Sequence, residues 1–246
     1  VGIHEHGLAF IYTDLRSFGQ AAAQFESREA FFRAIVDPLL QKGLTVLIPT
    51  FTYTTQGRFD IDATPSRLGA INKWMSRHPG ALRSAHPLFS VAAIGPHSDI
   101  VQGIGKSAFG ADGIFERMRN RNAAFLHVGR PVAIGNTCVH YVEQMCGATY
   151  RYQKAFDTEV YRGDLFVGTD YTALVRRRDV EGCDFDFGYR QDPATLAEGL
   201  GIREVGSNAD FTNISCYDYD RTIEFFIRSF YADPNVFIRE TFLERD

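Results

Sequence analysis

The chain of 246 residues lacks a long hydrophobic run and an excess of basic residues. No stretch approaches the roughly 18 consecutive apolar residues of a membrane-spanning helix, so no membrane partner is expected. The 26 Lys and Arg residues against 30 Asp and Glu residues give a net charge of -4. Because a protein that binds nucleic acid needs a basic face, this balance argues against a nucleic acid partner.

Cysteine is scarce as well, with residues at positions 138, 146, 183 and 216 and no C-x-x-C spacing. Such a pattern is typical of reduced thiols rather than of a disulfide framework. The first residues, "VGIHEHG", contain neither a basic nor an apolar region, so no secretory signal is expected. We therefore expect a cytoplasmic protein without disulfides.

Two common nucleotide-binding motifs are missing. The sequence contains no G-x-x-x-x-G-K-[ST] loop, and no G-x-G-x-x-G follows a strand-like run. No repeat with a period of roughly 20–50 residues is present, which argues against a solenoid or a propeller. The overall composition, with 45% hydrophobic and 23% charged residues, is ordinary for a globular protein with a full core.

Short apolar runs alternate with helical patterns along the chain. Four runs predict strands because they are short, apolar and closed by turn-forming residues: 7–14, 44–53, 89–95 and 123–129. Residues 27–43 predict a helix, although Pro38 could divide it and begin a second turn. A glycine-rich turn and a short helix are expected within residues 107–121.

The second half of the chain is more elaborate. Residues 161–179 have the alternation and turns of an antiparallel hairpin. Residues 218–234 predict an amphipathic helix with an inward face, formed by Ile223, Phe226, Ile227 and Phe230. Because no Ser/Gly linker divides the chain, residues 1–246 are predicted to form one mixed α/β domain.

Two segments place polar groups beside predicted strands. "IYTDLRSFG" (Ile11–Gly19) is a strand, a polar turn and a glycine before a helix, and its backbone N–H groups would suit an anionic or amide-rich ligand. An ordinary capped strand–helix turn is the alternative. "GALRSAHPLFSVAAIG" (Gly80–Gly95) holds polar side chains that form either a satisfied network or a ligand-binding rim: Arg83, Ser84, His86 and Ser90.

A third segment, "NTCVHYVE", contains His140 and Glu143. At (i, i+3) on a helix the two side chains are neighbours. A carboxylate in this position can fix the tautomer of the histidine and leave its other ring nitrogen as a general base. A pair with only a packing role is the alternative. A metal site would need further ligands, and the spacing does not make His127, Cys138 or Cys146 converge, so no metal is expected.

Taken in order, these segments resemble the antibiotic N-acetyltransferase family, whose named members are the aminoglycoside 3-N-acetyltransferases. "IYTDLRSFG" is similar to the family's His-Ser-Ser-Leu-(x)3-Gly turn, and "TPSRLG" to its T-P-S-x-x-G element. "RSAHPLFSVAAIG" is similar to R-S-x-H-P-x-x-S-x-x-A-x-G, and "NTCVHYVE" to N-T-x-x-H-x-x-E. With "FGADGIFERM" between the last two, the resemblance extends from about residue 8 to residue 230.

The resemblance implies a fold and an activity. The fold is a three-layer α/β/α sandwich with a mixed sheet, unlike the common acetyltransferase fold. The activity is direct transfer of acetyl from acetyl-CoA to a primary amine, with no metal. Carried over by position, it implies His140, Glu143 and Asp60 as catalytic residues. It also implies a set of cofactor-binding residues: Thr13, Asp14, Arg16, Ser17, Phe18, Gly19, Arg83, Ser84 and Gly110.

The chemistry of amine acetylation fits these residues. An alkyl ammonium group has a pKa of about 10, so it must lose a proton before the nitrogen attacks a thioester. One base and close positioning are then sufficient, without a covalent acyl-enzyme. Cys138 lies two residues before His140 and should point away from it on a helix, so cysteine catalysis is not expected.

The sequence departs from the family pattern at two places. Tyr12-Thr13-Asp14 stands where the family has His-Ser-Ser, and Gly113-Ile114 stands in place of Ser-Pro. These changes favour an amino sugar or a related biosynthetic amine as the acceptor. The alternatives are an aminoglycoside 3-N-acetyltransferase that confers resistance, a non-catalytic ligand-binding homologue, and a Cys/His thioesterase. A homodimer is compatible with each of them.

Overall fold

A computed structural model describes residues 2–130, 132, 136–177, 189–205 and 214–238. The strands in these ranges are β1 Leu8–Thr13, β2 Thr45–Pro49, β3 Gln56–Asp60, β4 Leu82–Arg83, β5 Val91–Ile94, β6 Ala123–Val128, β7 Arg151–Ala155, β8 Asp157–Arg162, β9 Leu165–Gly168, β10 Thr172–Arg176, β11 Arg203–Val205 and β12 Ile214–Asp218. The helices are α1 Gly19–Ala23, α2 Arg28–Gln41, α3 Ala70–Met75, α4 Ile114–Arg117, α5 Val139–Cys146, α6 Pro193–Leu200 and α7 Tyr219–Ala232.

The main sheet has seven strands in the order β11-β12-β6-β1-β2-β5-β4. Its central strand, β1, is parallel to both β2 and β6, whereas β12 and β5 run antiparallel to their neighbours. The carboxyl ends of β1, β2 and β6 therefore meet at one edge of the sheet. In α/β sheets this edge is where ligands usually bind.

Both faces of the main sheet are covered by helices. Because side chains alternate along a strand, Ala9 and Ile11 of β1 pack on one face, against residues of α2 and α3. Phe10 and Tyr12 pack on the other face, against residues of α4, α5 and α7. Two separate apolar clusters on either side of one mixed sheet confirm the predicted three-layer α/β/α arrangement.

The predicted hairpin at 161–179 is only partly correct. β8 and β9 do form a tight antiparallel pair. The next strand, β10, does not continue this sheet but pairs with β7. Burial explains the difference, since Ala173 and Leu174 of β10 join the main core while Leu165 and Phe166 of β9 stay exposed.

Both long predicted helices are present as α2 and α7. The proposed division of α2 at Pro38 is wrong, because α2 runs through Pro38, and Val36 and Leu39 on either side of it are both buried. Burial of this face outweighs the lost backbone hydrogen bond of the proline. The predicted C-terminal helix is confirmed as α7, which buries three of its four expected inward residues and partly buries Ile227.

Three further features bear on the expectations from the sequence: the cysteines, the length of the helices and the grouping of possible metal ligands. Cys138, Cys146 and Cys216 are free thiols, and Cys183 lies outside the described residues. In the described ranges, α2 and α7 each reach 14 residues, and no helix there has both the length and the apolar character to cross a membrane. Within the same ranges, no three His, Cys, Asp or Glu residues form a group that could hold a metal ion.

Candidate active site

The helix α5 holds the predicted histidine–glutamate pair. Asn136 lies just before it, and its Oδ1 accepts a hydrogen bond from the backbone N–H of Cys138, the residue that precedes the helix, at 3.0 Å. Gly147 ends it in the left-handed conformation, with φ 76°. In this eight-residue helix, His140 and Glu143 lie one turn apart on the same side.

The two side chains are in direct contact. The distance between His140 Nδ1 and Glu143 Oε2 is 2.6 Å. Glu143 has no exposed side-chain surface, whereas the His140 side chain is 22% exposed. The imidazole therefore lies between a buried carboxylate and the surface of the site.

A third residue, which sequence reasoning missed, completes this arrangement. Arg151, at the start of β7, places its Nε 2.6 Å from Glu143 Oε2, and only 7% of its side chain is exposed. Burial raises the pKa of the neighbouring Tyr150 phenol, and the negative charge of Glu143 raises it further. In the sequence, Arg151 begins a strand whose other residues are exposed, so no local signal marks it.

The charges around the pair set its protonation. Burial lowers the pKa of His140, and the positive charges of Arg151 and Arg176 lower it further, while Glu143 opposes the shift. Burial alone would raise the pKa of Glu143, but His140 and Arg151 outweigh it, so the pKa lies below its ordinary value. At neutral pH the site holds a carboxylate and a neutral imidazole. Nδ1–H then donates a hydrogen bond to the Glu143 carboxylate, and the free lone pair of the ring lies on Nε2.

The neighbouring cysteine takes no part in this chemistry. Cys138 is fully buried, and burial raises the pKa of its thiol well above the ordinary value. A nucleophilic cysteine requires a thiolate that a substrate can reach. This geometry speaks against the Cys/His thioesterase alternative.

A row of aromatic rings leads away from His140. The His140 ring lies 5.4 Å from that of Phe109, and Phe109 lies 4.9 Å from Phe89. Phe89 in turn lies 5.9 Å from Tyr53, in the loop after β2. This aromatic row connects α5 with the carboxyl-end edge of the main sheet.

A cavity of about 540 Å³ opens at that edge. It is lined by Thr13, Asp14, Leu15, Arg16, Gly69, Ala70 and Arg130. Three of the predicted cofactor-binding residues are therefore brought together here: Thr13, Asp14 and Arg16. Ser17, Phe18 and Gly19 are not among the lining residues. Phe18 packs instead against Phe31 of α2, with ring centroids 5.5 Å apart.

The turn at the cavity is stabilised by its own side chains. Arg16 Nε and Nη2 donate to the two Asp14 carboxylate oxygens at 2.9 and 2.7 Å. The Arg16 guanidinium holds the pKa of Asp14 below its usual range, and 90% of the Arg16 side chain is exposed. Asp14 thus offsets much of the positive charge that Arg16 brings to the cavity.

The turn that follows β6 packs directly on the turn that holds Asp14 and Ser17. Gly129 has φ 70°, and a Cβ there would collide with Ser17 Oγ and with the Asp14 carbonyl oxygen. Only glycine fits this close approach. It places Arg130, the next residue, beside the cavity. Sequence reasoning missed Arg130, although it directly follows a strand closed by glycine.

Arg83 and Ser84 lie elsewhere and are buried. Arg83 donates hydrogen bonds to the carbonyl oxygens of Thr50 and Ile61, both at 2.9 Å. Burial lowers the pKa of Arg83 to about 10, so it remains charged at neutral pH. Ser84 Oγ accepts from the Val91 N–H at 2.8 Å. The geometry favours the polar-network alternative over cofactor binding for both residues.

Asp60, expected to be catalytic, and Gly110, expected to bind the cofactor, lie in different surroundings. Asp60 Oδ1 accepts from the Asp62 and Ala63 N–H groups at 3.0 Å, so this carboxylate holds a turn. That position favours a structural role over a catalytic one. Gly110 lies against α5, where an added Cβ would be 2.8 Å from Gln144 Nε2. It therefore allows the loop before α4 to approach the helix that carries His140.

A buried hydrogen-bond chain joins α5 to the main sheet. Tyr12 OH donates to Asn136 Oδ1 at 2.7 Å, and Asn136 Nδ2 donates to Tyr217 OH at 2.8 Å. Tyr217 OH lies 2.7 Å from His127 Nε2. Burial lowers the pKa of His127 to about 3, so it is neutral and can accept from Tyr217. The chain fixes the start of α5 relative to β1, β6 and β12.

Replacing Asn136 tests this anchoring. Asn136→Ala leaves the buried Tyr12 hydroxyl and the Cys138 N–H without their acceptor and removes one of two partners of the Tyr217 hydroxyl, so the free energy of unfolding should fall by about 1–3 kcal/mol. Urea unfolding followed by circular dichroism measures it. Tyr12→Phe, which removes only one donor, is expected to cost less than Asn136→Ala. Equal stability of Asn136→Ala and the parent protein would show that the chain does not anchor α5.

Sequence comparison identifies one family. A sequence model of the family described as aminoglycoside 3-N-acetyltransferase, the antibiotic N-acetyltransferases, matches residues 10–198. The matched range contains both His140 and the turn at the cavity. No curated protein matches the chain.

Solved structures with this fold are similar over nearly the whole chain. AAC-VIa bound to sisomicin has a TM-score of 0.72 and 18% identity, covering 94% of this chain and 93% of its own. AAC-IIIb in a binary complex with CoASH has a TM-score of 0.70 and 14% identity, with coverage of 98% and 94%. YokD from Bacillus subtilis has a TM-score of 0.69 and 16% identity, with coverage of 94% of each chain.

At these identities the structures establish the fold, and the family match establishes the class of enzyme. Both agree with the expectations drawn from the motifs, including the enzyme class of acetyl-CoA-dependent N-acetyltransferase. The chain belongs to the aminoglycoside 3-N-acetyltransferase family.

Proposed function

We propose that this protein transfers the acetyl group of acetyl-CoA directly to an amine of an aminoglycoside, with His140 as the general base. The 2.6 Å contact between His140 Nδ1 and Glu143 Oε2 carries the proposal, because it orients a neutral imidazole at a partly exposed position. The description of the family and the sisomicin bound to AAC-VIa support an aminoglycoside acceptor. They favour it over the biosynthetic amino sugar expected from the sequence.

The reaction requires a single base. His140 Nε2 takes one proton from the acceptor ammonium group, whose pKa is about 10. The amine lone pair then attacks the thioester carbonyl carbon, so that an N–C bond forms and the C–S bond breaks. The leaving thiolate of CoA receives the second proton of the nitrogen, and His140 releases its proton to solvent. Glu143 holds the ring in one tautomer and stabilises the imidazolium.

The cavity at the carboxyl-end edge is our candidate for the polar part of acetyl-CoA. Arg16 and Arg130 bring positive charge to it, and arginine suits phosphate groups. The aromatic row from Tyr53 to His140 packs between the carboxyl-end edge of the sheet and α5, so it links the two parts of the site through side-chain contacts. AAC-IIIb, which shares the fold, binds CoASH.

Charge reversal at the cavity tests the cofactor site. Arg130→Glu replaces attraction of a phosphate by repulsion, so the KM for acetyl-CoA should rise about 10–100-fold with little change in the KM for the amine. Arg16→Glu should have a smaller effect, because Asp14 already offsets the charge of Arg16. Steady-state kinetics with release of free thiol as the signal measures both constants.

Arg33→Glu is the matched control, since Arg33 is an exposed arginine paired with Glu29 on α2, away from the cavity. It should leave both KM values unchanged. An unchanged KM for acetyl-CoA in Arg130→Glu would remove the cavity from the cofactor site. If the parent protein shows no acetyl-CoA binding by calorimetry and no turnover of sisomicin, the proposed function is wrong.

A further inference from the structure

Tyr53 has an unusual backbone conformation. Five non-glycine residues in the described part of the chain have positive φ, and four of them are Asp or Asn, which tolerate the left-handed region. Tyr53 is the exception, with φ 51°. A bulky aromatic residue in this region is strained, and such strain persists only where the surroundings hold the backbone in place.

The segment before β5 provides this support. The Tyr53 N–H donates to the Leu88 carbonyl at 3.3 Å, and the Thr54 N–H donates to the Pro87 carbonyl at 3.2 Å. The Thr52 hydroxyl also donates to the Pro87 carbonyl. Bonds on both sides of Tyr53 thus fix its conformation. Glycine or asparagine would fit the same backbone with less strain, so the tyrosine side chain must have a use of its own.

The surroundings of the ring indicate that use. The Tyr53 ring packs edge-to-face against Phe51 and Phe89, at 6.0 and 5.9 Å, yet the residue remains 43% exposed. It is the outermost ring of the aromatic row that leads to His140. The loop that carries Tyr53 follows β2, so it lies at the carboxyl-end edge of the main sheet, where the cavity also opens.

We infer that Tyr53 is a substrate-binding residue that stacks its exposed ring on a ring-shaped group of a bound substrate. The inference rests on the proposed function, which supplies two such groups, the adenine of acetyl-CoA and a sugar ring of the acceptor. Stacking on a tyrosine face suits either one, because it requires a flat or apolar ring surface and no particular hydrogen-bond pattern. The backbone conformation holds the exposed ring at the outer end of the aromatic row, beside Phe51 and Phe89.

Replacement of Tyr53 by glycine separates binding from stability. Tyr53→Gly relieves the backbone strain but removes the packing of the ring on Phe51 and Phe89, so its melting temperature should stay within a few degrees of that of the parent protein. Its affinity for one substrate should nevertheless fall about tenfold, because the stacking surface is lost. Tyr53→Phe keeps the ring and should bind within about threefold of the parent. Calorimetry with acetyl-CoA and with sisomicin, each alone, measures the affinities without requiring turnover.

The titrations with acetyl-CoA and with sisomicin show which of the two substrates stacks on Tyr53. A loss confined to acetyl-CoA assigns Tyr53 to the adenine, and a loss confined to sisomicin assigns it to the acceptor. Asn120→Gly is the control, since Asn120 also has positive φ, at 57°, and is exposed away from the cavity. It should bind both substrates as the parent does.

Unchanged affinity of Tyr53→Gly for both substrates would overturn the inference, whatever happens to its melting temperature. This result differs from failure of the proposed function. If the proposed function is wrong, the parent protein itself binds neither substrate, or binds both without transferring acetyl. Binding without transfer still allows the Tyr53 comparison to be made.

Discussion

His140→Ala should lower kcat by about 10²–10⁴-fold while the fold is retained, which is the usual contribution of a general base. The imidazole is held by Glu143 at 2.6 Å and is only 22% exposed, so a water molecule in its place would lack both the orientation and the basicity. Steady-state kinetics with acetyl-CoA and sisomicin measures the loss, and circular dichroism checks the fold.

His97→Ala is the matched control, because His97 is an exposed histidine away from α5. It should keep full activity. A well-folded His140→Ala that is as active as His97→Ala would remove His140 from the mechanism.

The pH dependence gives an independent readout of the same base. His140 works only when neutral, so kcat/KM for the amine should fall as the pH drops below the pKa of His140. Burial and two nearby arginines lower that pKa, which places the inflection below the ordinary histidine value of about 6.5. Glu143→Gln removes the charge that supports the imidazolium. The inflection should therefore move to still lower pH, with a smaller loss of kcat than in His140→Ala.

The contact between His140 and Glu143 could be predicted from the sequence because it is local. His140 and Glu143 need only one short helix to meet, and the spacing of three residues specifies it. The turn at Thr13–Gly19 was similarly visible as a strand that leads into a helix. Only its first part lines the cavity, because Phe18 turns inward to pack on Phe31.

The rest of the site depends on contacts between distant segments. Arg151 reaches Glu143 because β7 returns beside α5 after Gly147, and no periodic pattern specifies that return. Arg130 reaches the cavity because β6 pairs in parallel with β1. Pairing of strands so far apart in the chain cannot be inferred from apolar alternation alone, which gives a strand but not its neighbour.

The R-S-x-H-P segment shows why a motif alone does not decide the role of its residues. Its polar side chains are compatible with a satisfied network or with a ligand-binding rim, and their burial favours the network. His86 is neutral, since burial lowers its pKa to about 4, and its Nδ1 accepts from the N–H groups of Leu88 and Phe89 at 3.2 Å. Phe89 then contacts Phe109, which contacts His140. The segment serves the site by holding the aromatic row.

Arg151→Met should be the most destabilising of the substitutions considered. Glu143 has no exposed surface, and Arg151 Nε lies 2.6 Å from its Oε2. Removal of one partner from a buried ion pair leaves an uncompensated charge, which typically costs about 3–5 kcal/mol. Urea unfolding should show a loss of this size. Arg176→Met is the control, because Arg176 acts on His140 only through its charge, and it should cost far less.

Arg151→Met should also raise the pKa of His140. Without the positive charge of Arg151, the buried carboxylate holds a proton on His140 more strongly, so the pKa of His140 rises and the acid limb of kcat/KM moves to higher pH. A purely structural role for Arg151 would lower stability without moving that limb. The double variant Glu143→Gln with Arg151→Met removes both buried charges, so it should regain part of the stability while the loss of activity persists. If Arg151→Met keeps both the stability and the pH profile of the parent protein, Arg151 does not set the charge of the pair.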